Sequence, residues 1–254
     1  MFTLLSPAKT LDFDSSPKET VLTDHVFPKE TMQLVRILKK KKVPEIKDLM
    51  HISDALAELN VKRYKTFKKE YSPEISRAAI EAFKGDVYVG MDYPTLTAKE
   101  VAYAQDHIRI LSGLYGILKP LDKMQPYRLE MGTRMENKQG TNLYHFWGSK
   151  ISKALNAELK ESGSDTILNL ASNEYFKAVD KKALKANIIE ANFKEERDGK
   201  LKFISFNAKK ARGIMARYVV KNKIENLEEL KGFDIDGYYY SEEHSTADSL
   251  LFVR

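Results

Sequence analysis

The chain contains no cysteine, which excludes disulfides, thiolate nucleophiles and cysteine-ligated metals. Histidine is scarce too. His25, His51, His107, His145 and His244 are scattered, and no two stand at the helical spacing that presents a pair of ligands to one ion, so no metal site is expected. No stretch approaches the roughly 18 apolar residues of a membrane span, so no membrane partner is expected. The N-terminal Met-Phe-Thr-Leu-Leu-Ser-Pro lacks the charged start and apolar core of a secretory signal, and it reads as a first strand. A cytoplasmic location is the default that follows. A Gly-x-Ser-x-Gly elbow, a Gly-x-x-x-x-Gly-Lys-Ser/Thr loop and a nucleophile–base pairing are all missing. Catalysis therefore has no recognised motif, whether the protein is an enzyme stays open, and nothing calls for a cofactor.

What is present is ordinary in bulk and uneven in placement. A chain of 254 residues, 43% hydrophobic and 31% charged, can bury a substantial core. The net charge of +6 and the pI near 9.1 favour an anionic partner. The cations gather in windows: Lys39–Lys42, then Lys62, Arg63, Lys65, Lys68 and Lys69, then Lys209, Lys210, Arg212, Arg217, Lys221 and Lys223. Each window alone also fits a solvated helix face.

Short buried strands are expected at Phe2–Leu5, Val87–Val89, Thr166–Leu170, Ile188–Lys194, Lys200–Phe206, Tyr238–Tyr240 and Leu250–Val253. The turn Asp198-Gly199 makes a hairpin of the fourth and fifth. Helices are expected from Ser72-Pro73 to Lys84, from the capping box at Thr97–Glu100 to near Gly113, through Tyr144–Leu159 up to Gly163, from Asn207 to about Asn222, and from Asn226 to Gly232. The fold class is thus mixed α/β: one compact domain over residues 1–254, with a mixed sheet, flanking helices and a basic helical hairpin subdomain over residues 30–70.

That hairpin is the clearest local pattern. Ile46, Leu49 and Met50 form one apolar stripe, and Ile52, Leu56 and Leu59 a second. The break between them falls at His51-Ile52-Ser53, with Ser53 a good N-cap and Asp54 in the first turn. Free N–H groups at the second helix start can hold a phosphate, and Lys62, Arg63 and Lys65 follow about two turns on. This is the layout of a helix-hairpin-helix, which grips nucleic-acid backbone. The usual Gly-hydrophobic-Gly turn is replaced by His51-Ile52-Ser53, and an ordinary helical hairpin with solvated lysines fits as well.

Four further segments carry polar chemistry. Ser6–Thr10 follows the first strand, where open α/β sheets place ligands, and Lys9 there would face an anion. In Gln125–Gly132, Arg128 and Glu130 alternate with Leu129 and so point to one side of an extended backbone; they fit an anion clamp with a proton-handling acid or a structural ion pair. Asn169, Ser172, Glu174 and Tyr175 leave a strand and enter a helix. Lys209, Lys210 and Arg212 crowd a helix start, where the dipole penalises each cation by a few tenths to ~1 kcal/mol unless an anion binds. Leu111–Gly116 carries two glycines three apart, suited to close approach by a ligand or to a plain turn.

Together and in this order, Ser6–Asp12, Phe83–Tyr88, Leu111–Gly116, Pro120–Asp122, Gln125–Gly132, Phe146–Gly148, Asn169–Phe176 and Phe206–Gly213 resemble the YaaA family of bacterial peroxide-stress proteins. The resemblance implies a cytoplasmic, DNA-binding protein that limits hydrogen peroxide damage by restraining intracellular iron, with a basic cleft and a helix-hairpin-helix in a mixed α/β fold. DNA contact would then fall on Ile52, Ser53, Lys62, Arg63, Lys65, Lys209, Lys210 and Arg212, largely without sequence preference. The alternative is an enzyme acting on a small anionic or nucleotide-like substrate, with Lys9, Arg128, Glu130, Asn169, Glu174, Lys209 and Arg212 at one pocket.

Overall fold

Phe-Thr-Leu-Leu makes strand β1 (Phe2–Leu5), and all four residues are buried, as befits the middle of a parallel sheet covered on both faces. The structure is a computed structural model and describes residues 1–18 and 21–254. After β1 come β2 (Thr10–Leu11) and three helices, α1 (Pro28–Lys39), α2 (Val43–Met50) and α3 (Asp54–Thr66). Small elements follow: β3 (Arg77–Ala78), α4 (Ala79–Ala82), β4 (Phe83–Lys84) and α5 (Asp86–Met91). Then come α6 (Ala98–His107), β5 (Ile108–Ser112), β6 (Gly116–Leu118) and β7 (Lys123–Met124). A long irregular stretch leads to α7 (Leu143–Trp147), α8 (Lys150–Ser162), β8 (Thr166–Asn169) and α9 (Asn173–Phe176). The chain ends with β9 (Asn187–Arg197), β10 (Lys200–Lys202), α10 (Ser205–Asn222), α11 (Leu227–Lys231), β11 (Tyr239–Tyr240) and β12 (Ser249–Val253).

The main sheet has the order β11-β12-β9-β8-β1-β5-β6, with β10 paired to β9. Strands β12, β9, β8, β1 and β5 run parallel; β11, β6 and β10 are antiparallel additions. The chain leaves β1 toward β5 on one side and leaves β8 toward β9 on the other. Their carboxyl ends therefore flank a topological switch point, the crevice where open α/β sheets bind ligands.

Several expected elements change character. Val87–Val89 is helical, inside α5, although its valines favour a strand. The cause is tertiary: α5 packs on α10 through glycine. A Cβ on Gly213 would lie 1.8 Å from the carbonyl oxygen of Val87, and one on Gly90 2.2 Å from that of Lys210. The helix expected over 72–84 is broken into β3, α4 and β4, because Arg77 and Ala78 pair with β7 and Phe83 and Lys84 with β2. The helix capped by Thr97 stops at His107, and Ile108–Ser112 becomes the buried strand beside β1. Strand β10 ends at Lys202, and α10 starts at Ser205, two residues earlier than its sequence suggests.

The hairpin forms with its expected hinge. His51 adopts φ +51, the left-handed conformation that glycine usually supplies, and the Ser53 hydroxyl accepts from Leu56 N–H. The second apolar stripe does not form as expected. Leu56 and Leu59 are 38% and 41% exposed, while α3 buries Ala57, Asn60, Val61 and Tyr64. Asn60 is tolerated inside because its amide donates to Leu56 O. Ile46, Met50, Ala57, Val61 and Tyr64 belong to the same buried cluster as the sheet residues. No helix among the described residues is long and apolar enough to cross a membrane.

Candidate functional site

A cavity of about 620 Å³ opens at the carboxyl ends of β1 and β8. Its floor joins the two strand ends: Ser172 N–H donates to Ser6 Oγ at 2.9 Å, and Ser6 Oγ–H donates to Ser172 Oγ at 3.3 Å. Tyr88 on α5 donates its hydroxyl to Ser6 O at 3.0 Å. Around this floor stand Lys9 from the loop after β1, Glu174 and Tyr175 from α9, and Lys209 and Arg212 from α10. Burial drives the Tyr175 hydroxyl far above its usual range, with the Tyr127, Glu174 and Glu130 groups adding to the rise, so it enters chemistry as a neutral phenol.

A second cavity, about 540 Å³, adjoins the first at Glu174 and is lined also by Asp48, His51, Arg128, Glu130 and Arg134. Glu130 bridges the two, with Oε2 2.8 Å from Lys9 Nζ and Oε1 3.0 Å from Arg128 Nη2. The alternation of Arg128 and Glu130 thus brings both to one side, as expected. Their loop is held from both directions. Tyr64 on α3 donates its hydroxyl to Arg128 O, and a Cβ on Gly113 would lie 2.2 Å from Leu129 O. The two glycines of Leu111–Gly116 therefore admit the protein's own chain rather than a ligand: Gly113 meets the loop, and Gly116, at φ +73, meets the Trp147 ring. Glu174 is aimed by Gly132 N–H, which donates to its Oε1 at 2.9 Å.

Arg212 is the unusual member. Its Nε is buried and has no acceptor among the described residues. Burial lowers the guanidinium's pKa, offset in part by the Glu190 carboxylate. A buried donor without an acceptor costs on the order of 1–3 kcal/mol, and an anion in the cavity would remove that cost. Arg128 Nε is buried and unpaired in the same way. The sequence pointed to α10 for another reason, the helix dipole. Because α10 begins at Ser205, Lys209 and Arg212 stand beyond the first turn, where the dipole acts weakly.

The remaining candidates separate. Asn169 is buried, and its Oδ1 accepts from Ala171 N–H at 3.0 Å, so it shapes the strand end. Lys210 lies 3.5 Å from Asp236. Ile52 is partly buried, and Ser53, Lys62 and Lys65 are exposed on the hairpin. Arg63 turns inward to Asn60 Oδ1 at 3.4 Å; burial lowers its pKa, and nearby Arg128 lowers it further. Lys84, Asp86, Tyr88, Asp48, His51 and Arg134 also line the cavities. Apart from His51, read as part of the hairpin turn, none carried a signal of chemistry, since only tertiary packing brings them there. Among the described residues, no group of three or more histidine or acidic side chains is placed to hold a metal ion. The arrangement can bind an anion on guanidinium and ammonium groups beside two carboxylates able to exchange a proton.

Comparison with known proteins finds relatives over the whole chain. A UPF0246 protein of Aliivibrio fischeri is 51% identical over 254 residues, covering 100% of this chain and 98% of the relative. UPF0246 proteins of Saccharophagus degradans and Shewanella pealeana are each 50% identical over 254 residues, covering 100% of this chain and 99% of the relative. The family described as peroxide stress protein YaaA matches residues 1–244, and the chain belongs to that family.

Proposed function

We propose that the protein serves peroxide stress resistance by binding DNA along its backbone. One observation carries the reading: cationic groups extend from the exposed face of α3, at Lys62 and Lys65, through neighbouring Arg63 and Arg128 to Lys9 and the strand-end cavity. The hairpin geometry, with Ser53 as cap and His51 in the glycine-like conformation, adds support. Such contact reads phosphate rather than bases. Restraint of intracellular iron is the second part of the proposal. We take it to be indirect, following from what the protein binds, because the cavities offer cations to an anion. The test is binding of unrelated duplexes across a salt series. Wild type is expected to show little sequence preference and a steep salt slope, and Lys62→Ala/Lys65→Ala a slope shallower by about 2. Salt-insensitive binding, or an unchanged double variant, rules the reading out.

A second reading has its own support. Glu130 and Glu174 stand beside the cations of the two cavities, where backbone binding alone gains nothing from carboxylates. A site for a small anionic substrate, acted on with one of these acids as proton carrier, uses them. Binding of inorganic phosphate to wild type, abolished by Arg212→Gln, is its expected signature.

A further inference from the structure

We infer that the strand-end cavity and the start of α10 together form a site for a nucleoside 5′-monophosphate unit, with the phosphate on Arg212 and Lys209 and the base on Phe206. The inference rests on the second reading above and names its ligand.

The residues grade outward along one helix. Arg212 is partly buried, with an unpaired Nε, and lines the cavity. Lys209, one turn toward the N-terminus, lines the same cavity and is exposed. Neither side chain makes a hydrogen bond or ion pair with another described residue. Phe206, one further turn out, is 61% exposed, and Phe203 just before the helix is 58% exposed. Residues three apart on a helix are surface neighbours, so Phe206 stands beside Lys209, just outside the residues that line the cavity. From Arg212 to Phe206 is six residues, about 9 Å along the axis, the scale of a nucleotide from phosphate to base.

Each part asks for a different piece of one ligand. A guanidinium whose buried Nε has no acceptor asks for an oxyanion, and a phosphate fits its fork best. An exposed ring beside a cation is the platform on which a base stacks, with little preference among bases. The Lys9–Glu130 pair at the cavity edge supplies an ammonium that a phosphate oxygen can share. A bare inorganic anion leaves the rings unused, and an apolar ligand leaves Arg212 unpaired.

The shared chemistry, a nucleoside monophosphate, has two sources: the free nucleotide or a 5′-phosphorylated strand end. Calorimetry on the full chain separates them, using deoxyadenosine 5′-monophosphate, deoxyadenosine, inorganic phosphate, and a single-stranded oligonucleotide with and without its 5′-phosphate. The monophosphate is expected to bind at least about tenfold more tightly than either the nucleoside or inorganic phosphate, since a charged hydrogen bond and a stacked base each contribute. Arg212→Gln and the exposed Lys209→Gln each weaken the monophosphate, and the second variant keeps the test valid should the first misfold. Phe206→Ala weakens the monophosphate about fivefold or more and leaves inorganic phosphate unchanged. A preference for the phosphorylated oligonucleotide over the free nucleotide assigns the site to strand ends; the reverse assigns it to the free nucleotide. Equal binding of inorganic phosphate and the monophosphate, unaffected by Phe206→Ala, overturns the inference and leaves the small-anion reading standing. Absence of binding by every phosphate probe overturns both.

Discussion

Glu130 sets the charge balance of the cleft, because one carboxylate spans Lys9 and Arg128. Lys9 is 63% exposed, so its pairing adds little stability, on the order of 0–1 kcal/mol. Glu130→Gln is expected to lower thermal stability slightly, through its largely buried partner Arg128, and to tighten duplex binding at low salt by up to about fivefold, since a unit charge a few ångströms away is worth about 1 kcal/mol in water. Weaker binding would show that the carboxylate orders the site instead of opposing the ligand. His25 has the opposite character, a buried group with consequences for stability. It packs edge-on against Tyr115, and its Nε2 lies 3.0 Å from the Tyr71 hydroxyl. Burial lowers its pKa from 6.5 to about 4, against a smaller upward pull from Asp24. Between those values the unfolded chain binds a proton that the folded chain refuses, so stability falls as pH drops from about 6.5 toward 4. The loss approaches about 3 kcal/mol at the acid end. In thermal unfolding between about pH 6.5 and 4.5, above where most carboxylates titrate, wild type is expected to lose stability and His25→Gln to lose much less.

At the scale of elements, the crossing of α5 and α10 controls the site, because α10 carries Lys209 and Arg212 while α5 carries Tyr88. Gly213→Ala would force a methyl within 1.8 Å of Val87 O and 2.9 Å of Met91 N, both backbone atoms. Overpacking of this kind costs about 1–3 kcal/mol or more, a Tm lowered by roughly 2–12 °C in a chain of this size. Gly90→Ala acts at the same crossing, so the double variant should lose less than the sum of the two; additive losses would mean that the two positions relax independently. This crossing also marks where the sequence ceased to be legible. The hairpin was readable because Ser53 caps locally and Ile46 and Met50 repeat at helical spacing. Strands β1, β8 and β12 were readable as short apolar runs bounded by polar residues. Val87-Tyr88-Val89 misled because its helical state depends on Gly213, more than 120 residues away, as well as on adjacent Gly90. Ile108–Ser112 misled because a fully buried strand and a buried helix turn share one composition. The polar segments at Lys9, Arg128–Glu130 and Lys209–Arg212 were visible as segments; that Arg212 would lack a partner depends on which neighbours arrive, and no local pattern records it.

Across the whole molecule, charge is sorted along the strands. The carboxyl end of the sheet holds Lys9, Lys209 and Arg212, whereas the opposite end opens a cavity of about 610 Å³ lined by Asp106, Glu158, Glu161, Asp165 and Glu225 as well as Arg109 and Lys119. Glu158 is committed to Arg109, but Glu161, Asp165 and Glu225 are exposed and repel a polyanion approaching from that side. The ends are separated by at least the four residues of β1, about 13 Å. That distance exceeds the screening length of ~8 Å at 0.15 M salt and falls well inside the ~30 Å at 0.01 M. The far acids should therefore influence nucleic-acid encounter only when salt is low. Glu161→Gln/Asp165→Asn/Glu225→Gln is expected to speed association with a duplex at 0.01 M salt and to leave it unchanged at 0.15 M. Lys9→Gln/Lys209→Gln should weaken binding at both, since both lysines line the cleft proposed to take the polyanion. Stopped-flow association rates decide the matter. A triple variant equally faster at both ionic strengths would place the nucleic acid at the acidic end, and the strand-end cleft would then lose its claim to the polyanion.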